Sequence, residues 1–288
     1  MPTLRQILDQ SQQRGVAIGH FNVSDLVLLK AVFAAARDLQ VPVLVGASEG
    51  ERAFLGTRQL AALVRSLRDE FDFPIFLNAD HTHSLAKALE AARAGYDAIV
   101  FDASALPFDE NVRQTREALH AVKAIHPAML VEGEIGDIGT GSEIHDTAPD
   151  LAAGLTTPDQ ARQFVEATGV DILAPAVGNM HGMLHSMVRG ETRKRLDLDR
   201  IAQIKKAVRI PLTLHGGSGT DDHDLRQAIA AGINIIHMNT ELRLAWRQAL
   251  DRSLAQHPQE IVPYKLLPEV IEAVKQVTSA RLKLFNHK

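Results

Sequence analysis

The sequence contains no cysteine. A disulfide framework and a thiolate metal site are therefore excluded, and any metal must be held by histidine, aspartate or glutamate. An excess of charge of one sign is also missing. The net charge of −4 gives no general attraction to nucleic acid or to an anionic membrane. A local phosphate site remains open, because helix N-termini and backbone N–H groups make one without side-chain charge. No apolar run is long enough to span a bilayer, and Met1-Pro2-Thr3-Leu4-Arg5-Gln6 lacks the basic-then-apolar profile of a signal peptide. These absences set the expectation of a soluble, cytoplasmic protein with no nucleic-acid or membrane partner. No internal repeat or low-complexity tract stands out.

What is present is size and rhythm. A chain of 288 residues with 45% hydrophobic composition can bury a large core, and the expectation is one domain over 1–288. Leu4, Ile7 and Leu8 share one face of a first helix, with Thr3 placed as its N-cap. Apolar, strand-forming runs then recur at 16–23, 41–47, 74–79, 97–101, 129–134, 170–177, 210–214 and 233–238. Helical patterns follow them, and 48–50, 136–155 and 182–196 read as loops. Runs such as Val41–Ala47 are too apolar to face water on either side, as parallel strands are. About eight strand-then-helix units of this length favour a closed (β/α)8 barrel (a TIM barrel) over a doubly wound open sheet.

In such a barrel the C-terminal ends of the strands carry the chemistry. His81, His181 and His215 each follow an apolar run. A lone histidine there is more often a hydrogen-bonded structural residue. Three at one rim match the ligand set of a catalytic Zn2+ with an open position. Asp80, Asp102, Glu132, Glu134 and Glu143 fall at or near strand ends on the same face. Glu132 and Glu134 share parity, so both point inward or both outward. Gly216-Gly217-Ser218-Gly219 follows a strand and precedes a helix, and Asn239-Thr240 holds the same place on the next strand. That is where barrels frequently bind phosphate. A metal to polarise a carbonyl, acids and bases to move protons and a phosphate anchor make a coherent site.

The chain resembles the class II, metal-dependent ketose-bisphosphate aldolases, which include fructose- and tagatose-bisphosphate aldolases. The resemblance rests on Gly19-His20-Phe21-Asn22-Val23, Ser48-Glu49-Gly50, Ala79-Asp80-His81, Phe101-Asp102-Ala103-Ser104, Val131-Glu132-Gly133-Glu134-Ile135-Gly136, Gly178-Asn179-Met180-His181-Gly182, His215-Gly216-Gly217-Ser218-Gly219 and Met238-Asn239-Thr240-Glu241-Leu242. Single pieces are unspecific, but the full ordered set is specific. It implies reversible cleavage of a phosphorylated ketose, fructose 1,6-bisphosphate first, to dihydroxyacetone phosphate and glyceraldehyde 3-phosphate. It also implies one catalytic Zn2+ on His81, His181 and His215, with Asp102 and Glu134 at a second or alternative metal position. Asp80 would exchange the proton of the aldehyde oxygen. Gly182, Gly216, Gly217, Ser218, Asn239 and Thr240 would contact the phosphate and triose, and Ser48 the aldehyde half. A homo-oligomer, dimer or tetramer, is implied in the same way.

Three places depart from the family pattern. In the loop after Glu134 the nearby acid that fits, with a one-residue shift, is Glu143, taken as the base for the triose proton with Asp146 as alternate. His237 stands where relatives usually carry asparagine, and is expected to contact the substrate. Near Tyr264-Lys265-Leu266 only Lys265 is available for a distal phosphate. The alternatives left open are a tagatose-bisphosphate or other ketose-phosphate aldolase, a metal-dependent barrel hydrolase, and a non-catalytic sugar-phosphate-binding subunit.

Overall fold

The computed structural model describes residues 1–139, 141–147 and 154–288. Ten strands are present among them: β1 (Ile18–Asn22), β2 (Val43–Ala47), β3 (Ile75–Thr82), β4 (Ala98–Phe101), β5 (Leu130–Ile135), β6 (Ile144–His145), β7 (Ile172–Pro175), β8 (Met183–Leu184), β9 (Leu212–Leu214) and β10 (Ile233–Met238). The helices are α1 (Leu4–Arg14), α2 (Leu26–Leu39), α3 (Glu49–Leu55), α4 (Thr57–Phe71), α5 (Leu85–Ala94), α6 (Phe108–Ile125), α7 (Pro158–Thr168), α8 (His185–Val188), α9 (Leu198–Val208), α10 (Asp222–Ala231), α11 (Thr240–Gln256), α12 (Pro263–Leu266) and α13 (Pro268–Phe285).

Eight parallel strands close into a barrel in the order β1-β10-β9-β7-β5-β4-β3-β2. Closure confirms the expected (β/α)8 architecture and removes the open-sheet rival. The short strands β6 and β8 pair with each other above the rim, in segments whose sequence reads as loop. Ser48-Glu49-Gly50 also differs from its reading as loop. Ser48 is the N-cap of α3, in a capping box with Glu51.

The register sorts side chains by depth. Residues alternate inward and outward along each strand. At the bottom of the barrel Ile18, Leu44, Phe76, Ala98, Leu130, Ile172 and Ile235 form one apolar cluster with Leu4, Ile7 and Leu8 of α1, which plugs that end. Two residues further along the same strands the inward positions become His20, Gly46, Asn78, Val100, Glu132, Ala174 and His237. The outward residues, such as Val43, Val45, Ile75, Leu77 and Ile99, pack under the helices in the main core. Polarity thus rises toward the C-terminal rim. No described helix is long and apolar enough to cross a membrane.

Candidate active site

The rim brings the three predicted imidazoles together. On β3 the register against β4 shifts between Ala79 and Thr82, and His81 adopts φ +35°. Bulges of this kind re-aim a side chain beside active sites, and a non-glycine residue in that region costs about 1–3 kcal/mol. Asn179 fixes the turn carrying His181. Its Oδ1 accepts from Val177 N at 2.8 Å and its Nδ2 donates to His215 O at 3.1 Å, tying the ends of β7 and β9 together. The His81 ring centroid lies 4.7 Å from that of His181 and 4.8 Å from that of His215.

Each imidazole has one nitrogen occupied. His81 Nδ1 donates to Asp102 Oδ2 at 2.9 Å, His181 Nδ1 to Gly139 O at 2.9 Å, and His215 Nε2 to Glu132 Oε1 at 2.7 Å. In the neutral ring such partners fix the tautomer and leave the other nitrogen as acceptor. His81 Nε2, His181 Nε2 and His215 Nδ1 are therefore available, and one ligand atom from each ring lies within 4.8 Å of the others. His215 Nδ1 is buried without a hydrogen-bond partner, as is Glu134 Oε2, 3.1 Å away without hydrogen-bond alignment. A divalent cation fits this donor set, since it satisfies both orphaned atoms. Glu132 and Glu134 both point inward, as their shared parity required. Asp102 has both oxygens engaged, by His81 and Ser104. It orients His81, and Glu134 is the carboxylate with an unengaged oxygen beside the rings.

Charge follows the geometry. Burial opposes charge on His81, but Asp80, the bond to Asp102 and Glu134 outweigh it and raise the ring to about 9. His215 is raised in the same way, against burial, by Glu132 and Glu134. His181 is pushed down to about 4 by burial and by His81. Burial would raise Asp80, yet His81 and His237 hold it well below the usual carboxylate range. Asp80 is 4% exposed, with Oδ2 accepting from Asn22 Nδ2 at 2.9 Å and Oδ1 3.4 Å from His237 Nδ1. His237 stacks between His20, at 3.5 Å, and His215, at 4.1 Å. His20 is fully buried inside the barrel.

Two connected spaces open above the rings. The larger, about 290 Å³, is lined by Ser48, Asp80, His81, Asp102, Glu143, His181, Asn239 and Arg243 among others. The deeper one is lined by Gly182, Gly216, Ser218, His237, Asn239 and Thr240 beside Asp80, His81 and His181. Glu143 therefore faces the site, whereas Asp146 does not line it and lies 3.5 Å from the exposed His185. Residues 140 and 148–153 of the expected 136–155 loop lie outside the described residues. Gly182 (φ +72°) and Gly216 (φ +61°) cannot become alanine freely, because a Cβ would meet His145 Nε2 at 2.2 Å and Met180 O at 2.1 Å. Gly217, also expected to contact substrate, donates its N–H to His237 O at 2.9 Å and is not among the residues lining the deeper space.

Two residues escape the sequence reading. Arg243 stands one turn into α11 and lines the larger space, with Nη2 donating to Glu51 Oε1 at 2.7 Å. Lys265, the basic residue available near 264–266 for a distal phosphate, pairs with Glu260 at 3.2 Å and lines neither space. A basic residue three positions after a rim threonine was the available signal for Arg243. Lys194 is the second, 4% exposed beneath the rim, pushed down to about 7 by burial against the pull of Glu241.

A parallel barrel gathering imidazoles, carboxylates and a glycine-lined pocket at its C-terminal rim has the layout of a barrel enzyme with donors that suit a metal. The chain belongs to the class II fructose-bisphosphate aldolase family, whose model, described as Fructose-bisphosphate aldolase class-II, matches residues 2–288. It is 34% identical to a fructose-bisphosphate aldolase of Thermus caldophilus over 97% of this chain and 96% of the relative. The crystal structure of the YdjI aldolase from Escherichia coli K12 matches with TM-score 0.80 and 30% identity, over 99% of this chain and 97% of that one. A fructose-bisphosphate aldolase structure from Campylobacter jejuni, 20% identical, matches the fold with TM-score 0.82 over 98% and 94% of the two chains. The protein is thus a lyase of the aldolase class. Its family is generally metal-dependent, and the imidazole and carboxylate donors suit a metal.

Proposed function

We propose that the protein is a zinc-dependent aldolase that cleaves fructose 1,6-bisphosphate reversibly to dihydroxyacetone phosphate and glyceraldehyde 3-phosphate. The observation that carries this reading is the trio of convergent imidazoles, His215 buried and His81 and His181 half-buried, each with one nitrogen tied off and the other unused, beside an ionised Asp80. His81, His181 and His215 would hold the ion, with Glu134 as an alternative ligand. Bound there, it supplies Lewis acidity that polarises the ketose carbonyl and offsets the negative charge developing as the C3–C4 bond breaks.

The chain's own residues account for the rest. Asp80 is ionised and takes the C4 hydroxyl proton as the C4 carbonyl forms. The electron pair of the broken bond stays on the triose fragment, and Glu143 returns a proton to C3. His237 and Asn22 hold Asp80 from either side. Gly182, Gly216, Ser218, Asn239 and Thr240 receive the phosphate of the triose end, with the N-terminus of α11 directed toward it. Ser48 faces the aldehyde half, and Arg243 takes the second phosphate as a charged fork.

A turnover screen of ketose mono- and bisphosphates with zinc-loaded protein, coupled to detection of dihydroxyacetone phosphate, tests this. The expected result is chelator-sensitive release from fructose 1,6-bisphosphate. Preference for tagatose 1,6-bisphosphate would move the substrate to its C4 epimer. No triose phosphate from any ketose phosphate would overturn the reading.

A further inference from the structure

Lys194 has no role in the reaction derived above, yet it is among the most constrained side chains near the site. Its Nζ donates to three backbone carbonyls, Met180 O at 2.7 Å, Gly182 O at 2.6 Å and Gly216 O at 2.9 Å. Its backbone is fixed on both sides, N donating to Gly219 O and O accepting from Asp221 N. Among the described residues no carboxylate lies within 4 Å of the ammonium. Glu241, the nearest negative influence, is itself engaged by Arg281 and by Gly219 N.

The three carbonyls are not incidental. In a trans peptide the C=O and the following N–H point in opposite directions. The N–H groups on the far sides of these peptides belong to His181, Met183 and Gly217, and they donate to Ile138 O, Glu143 O and His237 O. One ammonium therefore sets peptide planes in the loop carrying His181, the loop after His215 and, through them, the segment carrying Glu143. Gly182 and Gly216 also line the deep pocket, whose lining includes no lysine or arginine. A phosphate dianion seated there meets no cationic lysine or arginine at its surface. The ammonium bonded to the carbonyls of those two glycines is the lysine charge that borders the pocket from behind.

We propose that Lys194 is a built-in cation of the phosphate pocket and the residue that positions the two loops bearing its three carbonyl partners. The proposal rests on the aldolase reading for the identity of the anion as a sugar phosphate. It assigns Lys194 no contact with the reacting carbons. Its loss should weaken binding of the phosphorylated end more than it slows turnover. A cradle of three carbonyls left empty by truncation has the chemistry to take a small monovalent cation in its place.

The test uses Lys194→Met and Lys194→Ala in the metal-loaded protein. Binding of inorganic phosphate and of dihydroxyacetone phosphate is measured directly by calorimetry, and KM and kcat are measured for the ketose bisphosphate. The expected result is a loss of about ten-fold or more in both affinities and a matching rise in KM, with a smaller change in kcat. Ammonium chloride should recover most of the loss in Lys194→Ala, and tetramethylammonium chloride at equal ionic strength should not. If Lys194→Ala is too unstable to assay, its melting temperature should rise saturably with ammonium and not with tetramethylammonium. Unchanged phosphate affinity in both variants, or no discrimination between the two ions in the alanine variant, would overturn the proposal. Failure of the aldolase reading is separable, because wild-type protein could then bind phosphate through Lys194 while releasing no triose phosphate.

Discussion

Glu143 and Arg243 divide the proposed site between proton transfer and anchoring. Glu143 lines the larger space at a point where Asp146 does not. Glu143→Gln should lower exchange of solvent hydrogen into dihydroxyacetone phosphate by about 10²-fold or more. Metal content should stay at the wild-type level, and Asp146→Asn should exchange normally. Mass spectrometry of the recovered triose phosphate reads this, and normal exchange in Glu143→Gln would move the role elsewhere. Arg243 is the one lysine or arginine among the described residues lining the larger space. Arg243→Met should raise KM for a ketose bisphosphate about ten-fold or more, while leaving affinity for dihydroxyacetone phosphate nearly unchanged. Equal losses for both ligands would show that Arg243 acts through Glu51, which also holds Asn22 and Ser48, and does not read the second phosphate. Steady-state kinetics with both phosphorylation states separates the two.

The strands show what a linear reading captures and what it misses. Apolar runs announce all eight barrel strands, and Thr3, placed as the N-cap of the first helix, caps α1. His81, His181 and His215 were legible because each lies shortly after the end of such a run. His20 was not, since its inward orientation depends on closure of the barrel and on the pairing of His20 with His237. The bulge at His81 is likewise set by tertiary pairing with β4 and has no local signature. The helix α3 hid behind Gly50, although Ser48 and Glu51 form its capping box. Arg243 lay beyond a reading that looked for distal charge near residue 265. Closure also gives Gly46 its purpose. A Cβ there would lie 2.1 Å from His20 Cε1, at one end of the stack His20–His237–His215. Gly46→Ala should therefore cost about 1–3 kcal/mol of stability in urea unfolding. It should also weaken metal binding, because the displaced His20 ring bears on His237, which stacks on His215. A stability loss with metal affinity intact would confine the strain to His20.

Across the whole molecule, the rim is an electrostatic device that a metal completes. Without the ion, two imidazoles carry charge at neutral pH because carboxylates surround them, with His81 at about 9 and His215 also raised. Groups raised in the folded state stabilise it fully below their ordinary value near 6.5, and that contribution is lost as pH rises through about 9. His20 and His181, lowered to about 4, act in the opposite direction: the unfolded chain binds more protons than the fold between about 4 and 6.5, so stability rises with pH there. Asp80, held low, adds stability that is lost only in acid. The metal-free protein should therefore be most stable near pH 6.5 and lose stability toward pH 9. A divalent ion requires neutral imidazoles, so its uptake must release the protons of His81 and His215, and its affinity should climb over the same interval. Melting temperatures of chelated and metal-loaded protein at pH 6.5, 7.5 and 9 should consequently diverge as pH rises. Calorimetric titrations in buffers of different ionisation enthalpy should record proton release at pH 7.5. Parallel melting curves with no proton release would mean that the imidazoles are already neutral without metal, and that the carboxylates around them serve only to hold their rings in place.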